Sequence, residues 1–283
     1  MNYAICYCEQ CHIIIAYIGD GNTPSQNLLG QTLSDVRPLL ELSILTITVT
    51  LLILFLAAFI KAVLGFGESL VAIPLLTLVI GVQAATPLVS LIAATVTLLI
   101  MTRSWQKIDL GATWRLTLSA AIGIPAGIWG LSRFPSIWLV IGLGVMLILT
   151  GLFYLTRPTL PPLQDQRWAY LFGFLSGIFG GAYSMASPPT LVYSTMRRWS
   201  PEQFRVTLQS FFLPVSAMIL IGHAAAGLWT GQVLWLYAIS WPVMLVAFWA
   251  GNRFSQQLET ALFERIIYVS LIILGGVLIY RLV

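Results

Sequence analysis

Seven intervals of this chain contain no Asp, Glu, Lys or Arg: Leu42 to Ile60, Ser69 to Thr102, Leu116 to Ser132, Phe134 to Thr156, Trp168 to Met196, Val206 to Asn252 and Ile266 to Tyr280. An ionised side chain at the centre of a bilayer costs at least about 2.5 kcal/mol, and a spanning helix needs about 20 apolar residues. The first, third, fourth and last intervals each fit one helix. Val206 to Asn252 fits two, broken at Gly222 to Gly231. Ser69 to Thr102 is too long for one helix and is expected to be cut by Pro74 and by a turn from Gly81 to Pro87. Trp168 to Met196 is expected to be cut by Gly180-Gly181 and Pro188-Pro189. The pattern predicts an all-α polytopic membrane protein of about ten hydrophobic segments.

Composition removes the competing classes. Of the 283 residues 58% are hydrophobic and 8% charged, against roughly 25% charged in a soluble chain, so a soluble fold of this size could not cover its surface. Disorder requires the opposite balance. The net charge of +4 comes from 14 basic and 10 acidic residues spread thinly, which gives no basic face for nucleic acid. No Walker-type phosphate loop is present, which argues against a self-contained ATP-driven pump.

Lys and Arg are biased toward cytoplasmic loops. With the Arg103 to Arg115 loop placed inside and the crossings alternated, Lys61, Arg103, Lys107, Arg115, Arg157, Arg167, Arg197, Arg198, Arg205, Arg253 and Arg265 all fall inside. That is 11 of the 14 basic residues, with Arg37, Arg133 and Arg281 outside. Both termini then face outward. Residues 1–42 form an N-terminal extension without the basic start and cleavage site of a signal peptide. It holds Cys6, Cys8 and Cys11, and the run from Cys8 to Cys11 and His12 has the spacing of a c-type haem attachment or a zinc cluster. No second ligand cluster accompanies it, so no metal and no cofactor are expected.

A repeat runs through the remainder. Val63-Leu64-Gly65-Phe66-Gly67 followed by Pro74 reappears as Gly177-Ile178-Phe179-Gly180-Gly181 followed by Pro188, and Thr86-Pro87 as Ser200-Pro201; each pair is 114 residues apart. The expected organisation is two five-segment repeats, 43–156 and 157–283. An odd number of crossings per repeat inverts one relative to the other, and paired broken helices in inverted halves point to a transporter's binding site. Non-helical backbone at membrane depth survives only where protein or a wet cavity satisfies it.

These residues resemble the sulfite exporter TauE/SafE family, also called the 4-toluene sulfonate uptake permease family. Its halves each carry a Gly-Phe-Gly type turn leading to a proline, matched here by Gly65-Phe66-Gly67-Glu68-Ser69 to Pro74. Its second half reads as a Gly-rich turn, Gly-Pro-Pro and an aliphatic run with Tyr, matched by Gly177 to Gly181, then Pro188-Pro189-Thr190-Leu191-Val192-Tyr193. Ser187 stands where that family has Gly. The resemblance covers about Ser43 to the C-terminus and implies a transporter of small sulfur-containing anions, such as sulfite or organosulfonates, in the cytoplasmic (inner) membrane.

The expected substrate-binding residues are Gly65, Phe66, Gly67, Glu68, Ser69, Pro74, Gly180, Gly181, Ser184, Ser187, Pro188, Pro189 and Gln209. The glycines either let backbone amides approach an anion or allow tight helix packing. Ser187-Pro188 reads as an N-cap followed by proline at the first helical position, aiming a helix N-terminus at an anion. Lys61, Glu68 and Arg205 are candidates for coupling, or else interfacial and capping residues. Gln209 either bonds substrate or joins helices. His223, beside a predicted outer loop, reads as solvated. The Trp residues read as interfacial anchors.

The function that follows is a secondary transporter, read as an exporter, working by alternating access on a small anion. A polytopic assembly or receptor subunit would have no need of matched broken helices. An intramembrane enzyme would need a convergent catalytic set, and none is visible. The oligomeric state is left open.

Overall fold

The computed structural model describes residues 4–8, 13–17, 44–104, 110–156, 161–163, 165–199, 201–254 and 260–281. The chain forms two units, Met1–Leu42 and Ser43–Val283. In the first, β1 (Ala4–Cys8) and β2 (Ile13–Tyr17) pair antiparallel, with Ala4 opposite Tyr17 and Cys8 opposite Ile13. The β-branched run Ile13-Ile14-Ile15 favours a strand. This hairpin is the one departure from an all-helical fold among the described residues. Cys11 and His12, half of the proposed haem or zinc motif, lie outside them.

Among the described residues the second unit has ten helices: α1 (Ile44–Leu64), α2 (Glu68–Ile80), α3 (Val82–Ser104), α4 (Leu110–Arg133), α5 (Ser136–Thr156), α6 (Trp168–Tyr183), α7 (Ser187–Met196), α8 (Pro201–Ala225), α9 (Gly231–Phe254) and α10 (Thr260–Tyr280). α1, α5, α9 and the Val82–Leu99 part of α3 are each long and apolar enough to cross a bilayer. Large apolar side chains are exposed on α1, α4, α5, α6, α9 and α10, including Leu52, Ile122, Leu149, Leu171, Val246 and Ile273. Trp114, Trp129, Trp138, Trp168, Trp235, Trp241 and Trp249 are exposed with them. In water this surface would aggregate; in lipid it is the solvent-facing side. By contrast α2 and α7 show no exposed large apolar side chain among the described residues. The fold is therefore a polytopic membrane protein in which α2 and α7 are enclosed, while α3 and α8 each still expose a large apolar side chain, Leu98 and Ile221.

Two sequence expectations about the breaks need correction. Pro74 does not cut its segment: it lies inside α2, and the joint falls at Gly81 alone, with Pro87 inside α3. A proline forfeits one ladder bond, which neighbouring groups in a packed membrane helix make good. Likewise Gly180 and Gly181 do not interrupt their segment but form the last turn of α6. The interruption is at Ser184, with φ of 52°. There the amide of Ser184 donates to Gly180 O and that of Met185 to Phe179 O; the first is the 5→1 bond of a left-handed C-cap.

Those shifts change the register of the repeat. The ends at Leu64 and Tyr183, the restarts at Glu68 and Ser187, and the next starts at Val82 and Pro201 are each 119 residues apart, not 114. In this register Gly65 and Ser184, both left-handed, are equivalent. The glycine landmarks misaligned the halves because the second set serves another purpose. Gly173, Gly177 and Gly181 of α6 face α4 so closely that an added Cβ would lie within 2.4 Å of the carbonyls of Leu116, Ala120 and Ile124, and Gly123 and Gly127 of α4 meet α6 the same way. These are packing glycines of the small-residue kind.

Packing between helices respects the exchange of halves. α4 packs on α6 and α9 on α1; α4 also meets α8 as α9 meets α3; α5 meets α10 and α3 meets α8. Each of these contacts maps onto another, or onto itself, when the first five helices are swapped for the last five, whereas α2 also packs on α3 and α10 without a comparable counterpart at α7 among the described residues.

Candidate functional site

Where α1 gives way to α2, the chain passes through Gly65 (φ 83°) and Gly67 (φ 92°), a left-handed geometry that costs an L-residue roughly 1–2 kcal/mol. Gly67 caps α2 without a side-chain bond. Where α6 gives way to α7, Ser184 takes the left-handed position and donates its hydroxyl to Thr86 O of α3 at 3.0 Å. That bond ties the second break to the first half of the chain. Ala186, not Ser187, is the N-cap of α7, so Ser187 occupies the first helical position and the prolines follow it.

Both breaks line one cavity, together with Ser90 and Ala93 of α3 and Phe212, Val215, Ser216 and Ile219 of α8. α3 and α8 are about 35 and 38 Å long at 1.5 Å per residue, and these lining residues lie near the middle of each. The cavity has about 30 Å³ of space; a water needs about 10–15 Å³ by the same measure. It therefore has room for a few water-sized groups.

Of the expected residues, Phe66, Gly67, Glu68, Ser69, Ser184 and Ser187 are on its wall, as is the coupling candidate Lys61. Gly65 makes the turn behind it and donates its amide to Lys61 O at 2.7 Å. Pro74, Pro188 and Pro189 are buried within their helices and Gly180 and Gly181 within α6, none of them on the wall. The side chains of Gln209 and Arg205 lie outside the described residues.

The wall carries a charge pair. Lys61 Nζ donates to Glu68 Oε1 and, at 2.9 Å, to Ala93 O. Both side chains are buried, at 3% and 11% exposure. Neither is an interfacial or snorkelling residue. Leaving either ion alone would strand a charge, whereas the pair with its extra hydrogen bond is tolerable. An ammonium has three donors, and the third takes no partner among the described residues. The site thus contains a buried cation, which the sequence reading had not placed there, neutralised by its neighbour.

The other polar side chains of the wall are hydroxyls, set among apolar residues such as Phe66, Phe212 and Ile219. Ser69, Ser187 and Ser216 take no hydrogen-bond partner among the described residues, although a serine in a helix has a carbonyl one turn back within reach. Ser69 and Ser187 are buried and Ser216 half-buried, and all three line the cavity. Ser90 and Ser216 were missed by sequence reading because neither adjoins a break. The usable signal was helical spacing, since Phe212, Val215, Ser216 and Ile219 recur on one face.

His223 also departs from expectation. Its exposure is 0%, with Nε2 on Gly181 O at 2.9 Å and Nδ1 on Ser90 Oγ at 3.1 Å. The break expected at Gly222 begins later, since α8 runs on to Ala225, and the ring turns inward. Among the described residues no group of three or more His, Cys, Asp or Glu is arranged to hold a metal.

Comparison with known proteins identifies the family. The family model described as Sulfite exporter TauE/SafE matches residues 50–278. A Cupriavidus necator protein named "Probable sulfite/organosulfonate exporter TauE" is 28% identical over 236 residues, covering 76% of this chain and 87% of its own. No solved structure matches.

Proposed function

Because the chain belongs to the sulfite exporter TauE/SafE family, whose members are membrane transporters, we propose that it exports a small sulfur oxyanion across the cytoplasmic (inner) membrane as a secondary transporter. The observation that carries this reading is the convergence of both helix breaks on one polar cavity midway along α3 and α8. Sulfite suits it better than an organosulfonate, given about 30 Å³ of space. The first turns of α2 and α7 supply amide donors and the positive ends of helix dipoles. The three unpartnered serine hydroxyls supply further donors. Lys61 supplies attraction, moderated by Glu68, so that the ion is held and still released.

Alternating access is supported by the exchangeable packing of the two halves, 43–156 and 157–283. Five helices each give them opposite orientations, and a two-fold set of contacts is a natural basis for two states related by swapping roles. In this reading the cavity lies near the bilayer midplane and the Arg103 to Arg115 and Arg197 to Arg205 loops lie in the cytoplasm. Cysteine labelling of intact cells checks the last point: either loop labelled from outside overturns that topology.

The test of function is flux into liposomes carrying the purified protein, with sulfite, sulfate, thiosulfate and an organosulfonate, each with and without a pH gradient. Sulfite flux above protein-free liposomes is expected, with slower organosulfonate flux. Absence of flux for all four sinks the proposal.

A further inference from the structure

His223 is completely buried, and the hydrogen bonds around it are arranged for two protonation states. Gly181 O can only accept, so Nε2 carries a hydrogen in both states and Nδ1 is the nitrogen that titrates. Its partner Ser90 Oγ lies 3.1 Å from Nδ1 and 2.8 Å from Pro87 O. One hydroxyl hydrogen faces two acceptors. With neutral His223, Ser90 donates to Nδ1. When a solvent proton binds Nδ1, that nitrogen becomes the donor, Ser90 Oγ accepts, and the hydroxyl hydrogen turns to Pro87 O. Pro87 O gives up the Ser90 bond in the neutral state, but Ser90 Oγ and both ring nitrogens keep a partner in either state, so the switch strands no ring nitrogen. Ser90 is itself on the wall of the anion cavity.

We propose that His223 is a proton-binding site coupled to the anion cavity through Ser90: protonation of Nδ1 strengthens binding of a small oxyanion, and the bound anion retains the proton. This rests on the transport reading above. The groups around His223 allow it. Besides Ser90, α3 offers it the carbonyl side of Pro87, and α4 presents Ile124 and Ile128 beside the adjacent Gly222. α6 presents Gly181 and, two residues on, Tyr183, whose hydroxyl is donated to Leu139 O at 3.0 Å. The charged groups on the cavity are Lys61 and Glu68, already paired. A new positive charge at His223 is therefore balanced by what enters the cavity.

The chain has two histidines, His12 and His223, so ¹⁵N-histidine labelling of the full protein in lipid nanodiscs gives two imidazole titrations, assigned with a His12→Asn variant. Added sulfite, against chloride at equal ionic strength, is expected to increase the protonated fraction of His223 at a given pH, by the reciprocity of linked equilibria. In liposomes, His223→Gln keeps an N–H for Gly181 O but takes no proton. The ratio of wild-type to variant sulfite flux is expected to change roughly fivefold or more between acid and alkaline pH, the lower end of ordinary coupling. A His223 titration indifferent to sulfite overturns the inference even if the variant misfolds, and so does a flux ratio constant with pH. If wild-type protein moves no anion at all, the transport reading fails and takes this one with it.

Discussion

The two breaks are built on the same backbone plan from different chemistry. The first uses two left-handed glycines and places Lys61 and Glu68 at its mouth. The second uses one left-handed serine, held by its own hydroxyl on Thr86 O, and presents no charged side chain to the cavity among the described residues. Duplication of a fold does not require duplication of its charges. A small anion site with a cation on both walls would bind without releasing, and one with none would depend on dipoles alone. Confining the ion pair to one half leaves a moderated field, while the other half contributes hydroxyls and the link to His223.

The asymmetry is most strongly tested by Lys61→Met. It leaves the Glu68 carboxylate buried without its partner, a change that costs about 3–5 kcal/mol when a buried pair is broken. Thermal unfolding in detergent is expected to show a large loss, and liposome flux is expected to vanish. Lys61→Met combined with Glu68→Gln removes both charges, and is expected to recover folded protein without recovering flux. If the single variant is stable and transports, the first break does not owe its role to charge.

A smaller effect separates the two ways of making a left-handed turn. At Gly67 an added Cβ would meet Ile60 Cγ2 at 3.7 Å, an ordinary contact, so Gly67→Ala is expected to cost the roughly 1–2 kcal/mol of the backbone conformation itself. At Ser184 both Ser184→Ala and Ser184→Gly lose the bond to Thr86 O, worth about 1 kcal/mol, but glycine relieves the left-handed strain. Alanine is therefore expected to melt lower than glycine. Equal melting of the two would show that the second break stores no strain at Ser184.

How far these features were readable from the sequence follows from the same contrast. The count of ten segments was legible because charges and their absence report directly on lipid. The first break was legible because glycines at 65 and 67 had no other purpose. The second was misplaced by a few residues: Gly180 and Gly181 looked like a turn, but Gly181 belongs to the α4–α6 packing seam and Gly180 faces Ile219 of α8, and the turn falls on a serine, which advertises nothing. Lys61 and Glu68 were visible as candidates, though not as a pair, since contact across a left-handed turn depends on dihedrals that composition does not reveal. Ser90, Ser216 and the inward turn of His223 depend on which helices touch, and single-chain periodicity says little of that.

The finest distinction concerns Ser187, the first residue of α7. Its hydroxyl faces the cavity wall without a partner, and the family it resembles has glycine there. Glycine at a helix start costs under about 1 kcal/mol, and Ser187 is not the N-cap, so Ser187→Gly is expected to leave melting nearly unchanged. What it removes is one donor to the anion. A neutral hydrogen bond contributes about 0.5–1.5 kcal/mol, so the ratio of sulfite to organosulfonate flux is expected to shift by about 2- to 10-fold. The direction is toward the larger anion, because the lost hydroxyl also widens a small cavity. Competition flux in one set of liposomes measures that ratio free of differences in protein content. An unchanged ratio would mean that selectivity is set at the charged break alone, and that the hydroxyl wall of the second half serves structure.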